Sequence, residues 1–502
     1  MSVSPDFASF ERAYAEGRPQ LVQRSLVNDL ETPVSAYLKL AGARENAFLL
    51  ESVEGGEQLG RFSIIGFKPD VIWRCHHGKA EINRDAAANA ETFTAETGAP
   101  LDSLKKLLAE SELDVPQGAP PMAAGVFGYL GYDMVRQMER LGERPKGGVG
   151  VADSIFIRPT VVAVFDNVRQ EISLFSPVRP EMGVSARAAY SRASERLADA
   201  VSDLQAPVTA PVRSVTSEDI TEASAVSNTP RPKFEQMVQR AKDYIGAGDI
   251  FQVVLSQRFS RPFQAPPFEL YRALRRSNPS PFMFYFNFKG FSVVGSSPEI
   301  LVRVRDGEVT IRPIAGTRPR GATPEQDKQF EIDLINDPKE RAEHLMLLDL
   351  GRNDVGRSAA IGSVKVTDQF SIERYSHVMH IVSNVIGKLR DGEHPVNAVV
   401  SGFPAGTVSG APKIRAMQII DELETSARGV YAGAIGYFSA NGNVDTCIAL
   451  RTAVVKDGVM HVQAGAGIVA DSDPASEQAE CENKAKALFA AAESALAGQG
   501  NR

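Results

Sequence analysis

The chain has 502 residues, 43% hydrophobic and 23% charged, which is ample apolar material for a large core and two domains and leaves no room for dominant disorder. A net charge of -7 with no compensating basic stripe argues against nucleic acid as the main partner, so a small anionic substrate would need a local cationic or metal site. The three cysteines, Cys75, Cys447 and Cys481, are far apart without C-x-x-C spacing, which argues against a disulfide framework or zinc site and suits a reducing cytoplasm.

In chain order, the N-terminal MSVSPDFASFERAYAEG lacks a basic start followed by an apolar run, and no stretch is long and apolar enough to span a bilayer. No membrane partner and no export are expected. Patterning predicts strands at 47–52, 71–74 and 154–158 and helices at 101–112 and 186–204, with a Gly-rich loop at 146–150. Residues 205–232 mix Pro, Thr, Ser, Ala and Val without periodicity and read as a linker or surface connection between domains at 1–204 and 233–495. Beyond it a helix is predicted at 233–245 and strands at 251–255, 282–288, 292–294 and 309–314. Helices and strands follow in mixed order, which predicts an α+β fold of mixed, mostly antiparallel sheets packed as an α/β sandwich with outer helices.

Two acidic segments share one design. ERAE places Glu340 and Glu343 three residues apart, and EQAE does the same for Glu477 and Glu480, so each pair shares one helix face. Each follows an Asp-Pro helix start, Asp337-Pro338 and Asp473-Pro474. If the helices face each other, their carboxylates repel unless a hard cation lies between them, and magnesium suits oxygen ligands with open positions left for an anion.

Three Gly-rich loops flank these helices: PIAGTR around Gly316 and Thr317, FPAGTVSGAPK around Thr407, and QAGAG around Gly465, Ala466 and Gly467. Glycine there lets backbone amides approach an anion. The middle loop ends in Ala411-Pro412-Lys413 rather than G-K-[ST], which excludes a phosphate-binding P-loop, and a helix follows at 413–423. Arg451 ends an apolar strand, where its guanidinium could grip a carboxylate or simply pair with a surface acid. Tyr431 offers a hydroxyl, Glu299 sits at a turn where its pKa could be lifted, and strand alternation points His380 away from Met379 and Ile381. His377 and His380 lack the H-E-x-x-H frame of a zinc site.

Taken together, PIAGTRPRG, AEHLMLLDLGRNDVGR, VMHIVSNVIG, GTVSGAPKIRAMQII, DTCIALR, QAGAGIV and the final E-x-x-E resemble the chorismate-utilising enzyme family, over about 233–492. The resemblance implies chorismate as substrate and Mg2+ as cofactor. It implies Glu343 and Glu480 as direct metal ligands, with Glu340 and Glu477 close by or bound through water, and the metal holding the ring carboxylate. It further implies that Arg451, Tyr431 and the amides of Gly465, Ala466 and Gly467 hold the enolpyruvyl carboxylate. Gly316 and Thr317 would line the ring pocket, with Lys484 on the substrate side.

Family members that add water carry a lysine base where this chain has Gln252, and aminodeoxychorismate synthases carry a lysine in P-I-K-G-T where this chain has Ala315. Water needs deprotonation, whereas ammonia already has a lone pair. The resemblance therefore implies the aminating branch that forms anthranilate and pyruvate. Glu299 would protonate the leaving hydroxyl, His380 would remove the ring proton, and Thr407 would hydrogen-bond near the ring. In the first half, LLES with Glu51 and Ser52 resembles the family's tryptophan-feedback segment, with Pro281, Phe282 and Met283 as its companion and Arg61 as a basic neighbour. L-tryptophan is the expected inhibitor. No G-x-C-x-G nucleophile motif is present, so ammonia is expected from a separate glutamine amidotransferase subunit, component II, in a hetero-oligomer. The alternatives are an aminodeoxychorismate synthase, a water-adding or salicylate-forming enzyme of the family, and a non-catalytic sensor of aromatic metabolites.

Overall fold

A computed structural model describes residues 3–42, 44–54, 58–208, 224–375 and 378–497. Most of the expected linker, together with His377, lies outside the described residues.

Every strand ladder among the described residues is antiparallel, and helices cover the sheets, as the mixed element order predicts. The expected helices form at Pro100–Ser111, Ala186–Gln205, Arg231–Gly246 and Lys413–Leu423. The strand Phe282–Phe288 has its expected bounds, whereas 71–74 is only the middle of a strand that runs from Gln58 to His76. The predicted strand at 309–314 is broken. Glu308–Ile311 and Ile314–Pro319 are separate strands, both paired with Val378–Lys388. Pro313 lies in the gap, where a residue without an N–H cannot continue a ladder.

The two halves of the chain share their sheet. Ala47–Glu54 pairs with Phe282–Phe288, and Gly125–Leu130 pairs with Ala434–Ser439. Aromatic packing crosses the same boundary. The Phe48 and Phe127 rings stack with centroids 4.4 Å apart, and Phe48 also meets Phe286 at 5.4 Å. All three are fully buried, so this contact belongs to the core that fixes one half against the other. Among the described residues, no helix is long and apolar enough to cross a membrane.

Candidate functional site

Both acidic helices form. Asp337 caps Pro338–Ser358 by accepting from the amides of Lys339 and Glu340, and Asp473 accepts from the amide of Ser476 at the start of Pro474–Ala497. Glu343 and Glu480 feel each other across the space between the helices. Burial pushes the Glu343 carboxyl up first, a hydrogen bond from Gln252 opposes this, and the charges of Glu340 and Glu480 push it further. Glu477 is likewise raised, by burial first and by the charge of Glu480 among the smaller causes.

Cations already attend two members of the set. Arg318 holds Glu340 at 3.0 Å and Asp337 at 2.7 Å, and Lys484 lies 2.6 Å from Glu480. Among the described residues, no group of three or more His, Cys, Asp or Glu side chains stands close enough to hold a metal ion. The chemistry of the donors nonetheless fits a hard cation. All four offer carboxylate oxygens, and the repulsion that raises Glu343 is relieved by a positive charge between it and Glu480.

The QAGAG residues occupy the strand Val459–Ile468, where Gly465, Ala466 and Gly467 pair with Ser256, Leu255 and Val254 on one edge only. Two side chains close over this stretch. A Cβ on Gly465 would lie 2.7 Å from the Tyr431 hydroxyl and 2.8 Å from the Leu255 carbonyl, so that position requires glycine, whereas one on Gly467 would lie 2.7 Å from Gln252 Nε2 and displace that side chain. The same Gln252 nitrogen donates to Glu343 Oε1 at 3.2 Å, and Lys484 Nζ donates to the Gly465 carbonyl at 2.9 Å. Gln252 and Lys484 thus tie the strand to both carboxylate helices.

Gly316 forms a bulge at φ +75° between Ala315 and Thr317, and Thr317 stands opposite His380 in the register. A Cβ on Gly316 would sit 3.2 Å from Glu340 Oε2, which places the bulge against the first carboxylate helix. Met379 and Ile381 are buried in a small cluster with Leu334, so His380 faces the other way, as alternation predicts. Its Nδ1 lies 3.0 Å from the Gly316 carbonyl and 3.1 Å from Thr317 Oγ1. A carbonyl only accepts, so Nδ1 carries the proton and Nε2 keeps its lone pair. Burial holds the imidazole below its ordinary pKa, and the positive charge of Arg451 adds to this.

Glu299 lies between the strands Phe291–Ser297 and Ile300–Arg305 and is buried, not an exposed turn acid. Burial pushes its carboxyl up to about 8, against a lowering hydrogen bond from Thr407 Oγ1 at 3.2 Å. Thr407 reaches it from the short helix Gly406–Ser409.

The strand expected to end at Arg451 stops at Ile448, and Arg451 follows at φ +46°. Its carbonyl accepts from the amide of Ser296 at 3.2 Å, which ties it to the segment carrying Glu299. Burial lowers the guanidinium pKa, and Arg451 has no ion-pair partner among the described residues. A half-buried cation without a counter-charge is costly and suits an anionic ligand.

Glu51, Ser52, Arg61, Pro281, Phe282 and Met283 all line one cavity of about 700 Å³. Their states differ. The Glu51 carboxylate accepts from Tyr271 Oη at 2.5 Å and from Arg275 Nε at 2.7 Å, so it braces the wall. Arg61 pairs with Asp166 at 2.9 Å, and Ser52 Oγ donates to the Phe62 carbonyl at 3.4 Å. Tyr437, Asp445 and Cys447 complete the cavity without having been singled out in the sequence. Nothing in their local pattern distinguishes them from ordinary strand residues. Tyr375 was likewise missed, although its ring meets His380 edge-on at 5.5 Å.

The chain matches the family described as chorismate binding enzyme over residues 46–490. It is 56% identical over 490 residues to anthranilate synthase component 1 of Cereibacter sphaeroides, covering 97% of each chain. It is 50% identical to the protein of that name from Pseudomonas aeruginosa, covering 92% of this chain and 93% of the relative. The crystal structure of anthranilate synthase component I from Streptococcus pneumoniae superposes with a TM-score of 0.75 at 37% identity, covering 92% of this chain and 98% of that one. The menaquinone-specific isochorismate synthase of Escherichia coli shares the fold, with a TM-score of 0.70 at 19% identity over 97% of this chain and 98% of that one.

Proposed function

Because the chain belongs to the chorismate binding enzyme family, we propose that it is the large, aminating component of an anthranilate synthase, converting chorismate and ammonia to anthranilate and pyruvate. The observation that carries this reading is Arg451, a half-buried guanidinium with no ion-pair partner among the described residues, beside an acid and a base that have been pushed in opposite directions. Arg451 and the Tyr431 hydroxyl take the enolpyruvyl carboxylate, with the one-sided strand edge at Gly465, Ala466 and Gly467 beneath it. Glu299, protonated at neutral pH with its pKa near 8, gives its proton to the departing ring hydroxyl. His380, neutral with Nε2 open, removes the ring proton as pyruvate is eliminated.

The nucleophile is assigned by Gln252 and Ala315. Neither offers an amine, so no lysine activates water or attacks the ring, and ammonia needs neither service. Glu343 and Glu480, with Glu340 and Glu477 directly or through water, would hold magnesium, which would supply positive charge for the ring carboxylate. In this reading the ammonia comes from glutamine through a component II amidotransferase, the enzyme works in the cytoplasm, and its product enters tryptophan biosynthesis.

The 700 Å³ cavity is assigned to L-tryptophan as feedback inhibitor, with Ser52 offering a hydroxyl and Pro281, Phe282 and Met283 an apolar wall for the indole. Calorimetry should show L-tryptophan binding that Ser52→Phe removes, since the larger side chain fills the cavity. The catalytic reading is tested by incubating the chain with chorismate, Mg2+ and ammonium and following anthranilate fluorescence. Turnover with ammonium but not with glutamine alone is expected. Isochorismate or a non-aromatised amino product would overturn the assignment.

A further inference from the structure

Tyr375 stands on the wall between the 700 Å³ cavity and the reaction site, and no role has been given to it so far. On the cavity side its hydroxyl donates to Glu373 Oε2 at 3.0 Å. Glu373 is in turn ion-paired with Arg312, and Glu373, Arg312 and Tyr375 all line the cavity that Ser52 and Met283 line. On the site side the Tyr375 ring meets the His380 imidazole edge-on, with centroids 5.5 Å apart and planes at 64°. Tyr375 is also close enough to Glu299 and Arg451 to feel the charge of the one and to influence the other.

The backbone makes this placement rigid. Glu373 is the cross-strand neighbour of His380, and Arg374 that of Met379. The Tyr375 amide donates to the Val378 carbonyl at 2.8 Å, and its own carbonyl accepts from Arg320 Nη1 at 2.8 Å. Burial and the Glu373 charge both raise the phenol pKa, so the hydroxyl stays a donor to the carboxylate. Among the described residues His380 is otherwise hydrogen-bonded only through Nδ1, which leaves the ring free to tilt about that bond unless something packs against its side.

We propose that Tyr375 is a positioning residue for the His380 base, anchored from the cavity side by Glu373 and Arg312. The aim of the catalytic imidazole therefore depends on side chains that an occupant of the cavity would touch. This rests on the reading of His380 as the base that removes the ring proton.

The test uses the full chain with chorismate, Mg2+ and ammonium. Tyr375→Phe should lower kcat about tenfold while KM for chorismate stays within about twofold, because only the aim of the base is lost. Glu373→Ala should do the same, and the double variant should be no slower than either single one, since both cut one tether. Glu373→Gln, which keeps an acceptor for the hydroxyl, should recover kcat to within about threefold of the parent. An unchanged kcat in Tyr375→Phe, a rise in KM alone, or losses that multiply in the double variant would overturn the proposal.

A second readout does not depend on turnover. In protein carrying isotope-labelled histidine, the His380 ring resonance, identified by its loss in His380→Asn, should move in Tyr375→Phe. An unmoved line overturns the positioning role, whereas a moved line in a chain that makes no anthranilate overturns only the functional reading.

Discussion

Gln252 donates through Nε2 to Glu343 across 3.2 Å, while its own carbonyl oxygen is buried with no hydrogen-bond partner among the described residues. An orphaned buried acceptor is costly, and here it sits beside Gly467 in the substrate pocket. Ammonia has the N–H groups such an oxygen lacks. Gln252→Leu keeps the volume and removes both contacts, so KM for ammonium should rise about tenfold or more with the fold retained. Ammonium titrations followed by anthranilate fluorescence check this, and an unaltered KM would separate Gln252 from the nucleophile.

Glu343 and Glu480 lie on separate helices, and the charge of Glu480 raises the cost of ionising Glu343. Glu480→Ala should abolish Mg2+-dependent turnover, by at least about a hundredfold, while the thermal transition stays in place. Calorimetry should show Mg2+ binding lost with it. The parent should bind Mg2+ less tightly as pH falls, because the raised carboxyl of Glu343 must release its proton to solvent before it can bind the ion. Pocket-level Mg2+ binding that survives Glu480→Ala would place the ion elsewhere.

Arg451 separates activity from stability. Its guanidinium is half-buried without an ion-pair partner among the described residues, so Arg451→Leu removes an uncompensated charge and should raise Tm in the absence of substrate. The same change should lower kcat/KM for chorismate about a hundredfold, the scale of a lost charge-assisted contact to a carboxylate. Calorimetric melting and steady-state kinetics on one preparation measure both. A fall in Tm would mean that an internal partner had been removed.

The pH profile follows from Glu299 and His380. An acid must be protonated to act, so the rate should fall as pH rises through about 8, the folded pKa of Glu299. A base must be neutral, and burial keeps His380 below its ordinary value, so the acid limb should lie below the usual histidine range. The Thr407 hydroxyl favours the charged form of Glu299, so Thr407→Val should move the alkaline limb to higher pH. Glu299→Gln should cost between about a hundred- and ten-thousandfold in kcat and flatten that limb.

Sign matters for stability as well. The folded pKa of Glu299 lies above its unfolded value, so the folded state holds the extra proton between the two. Its contribution to stability is therefore full below the ordinary glutamate range and is lost as pH rises through about 8.

Much of the site was legible in the chain because its signals are local. Asp-Pro starts and three-residue spacing place Glu340, Glu343, Glu477 and Glu480 on two helix faces, glycine marks the close approaches at Gly465 and Gly467, and strand alternation turns His380 away from Met379. The antiparallel α+β architecture followed equally from element order. These are consequences of backbone geometry within a few residues, which the sequence carries by itself. What only the tertiary structure decided is set by contacts between distant segments. The break at Pro313 shows as two strands only because both must pair with Val378–Lys388. Burial converts Glu299 from a turn acid into a protonated one, and the fold denies Arg451 a counter-charge. Tyr375, Glu373 and Arg312 come to line one cavity while the Tyr375 ring meets His380. Burial and long-range electrostatics depend on what packs opposite, and no window of sequence contains that partner.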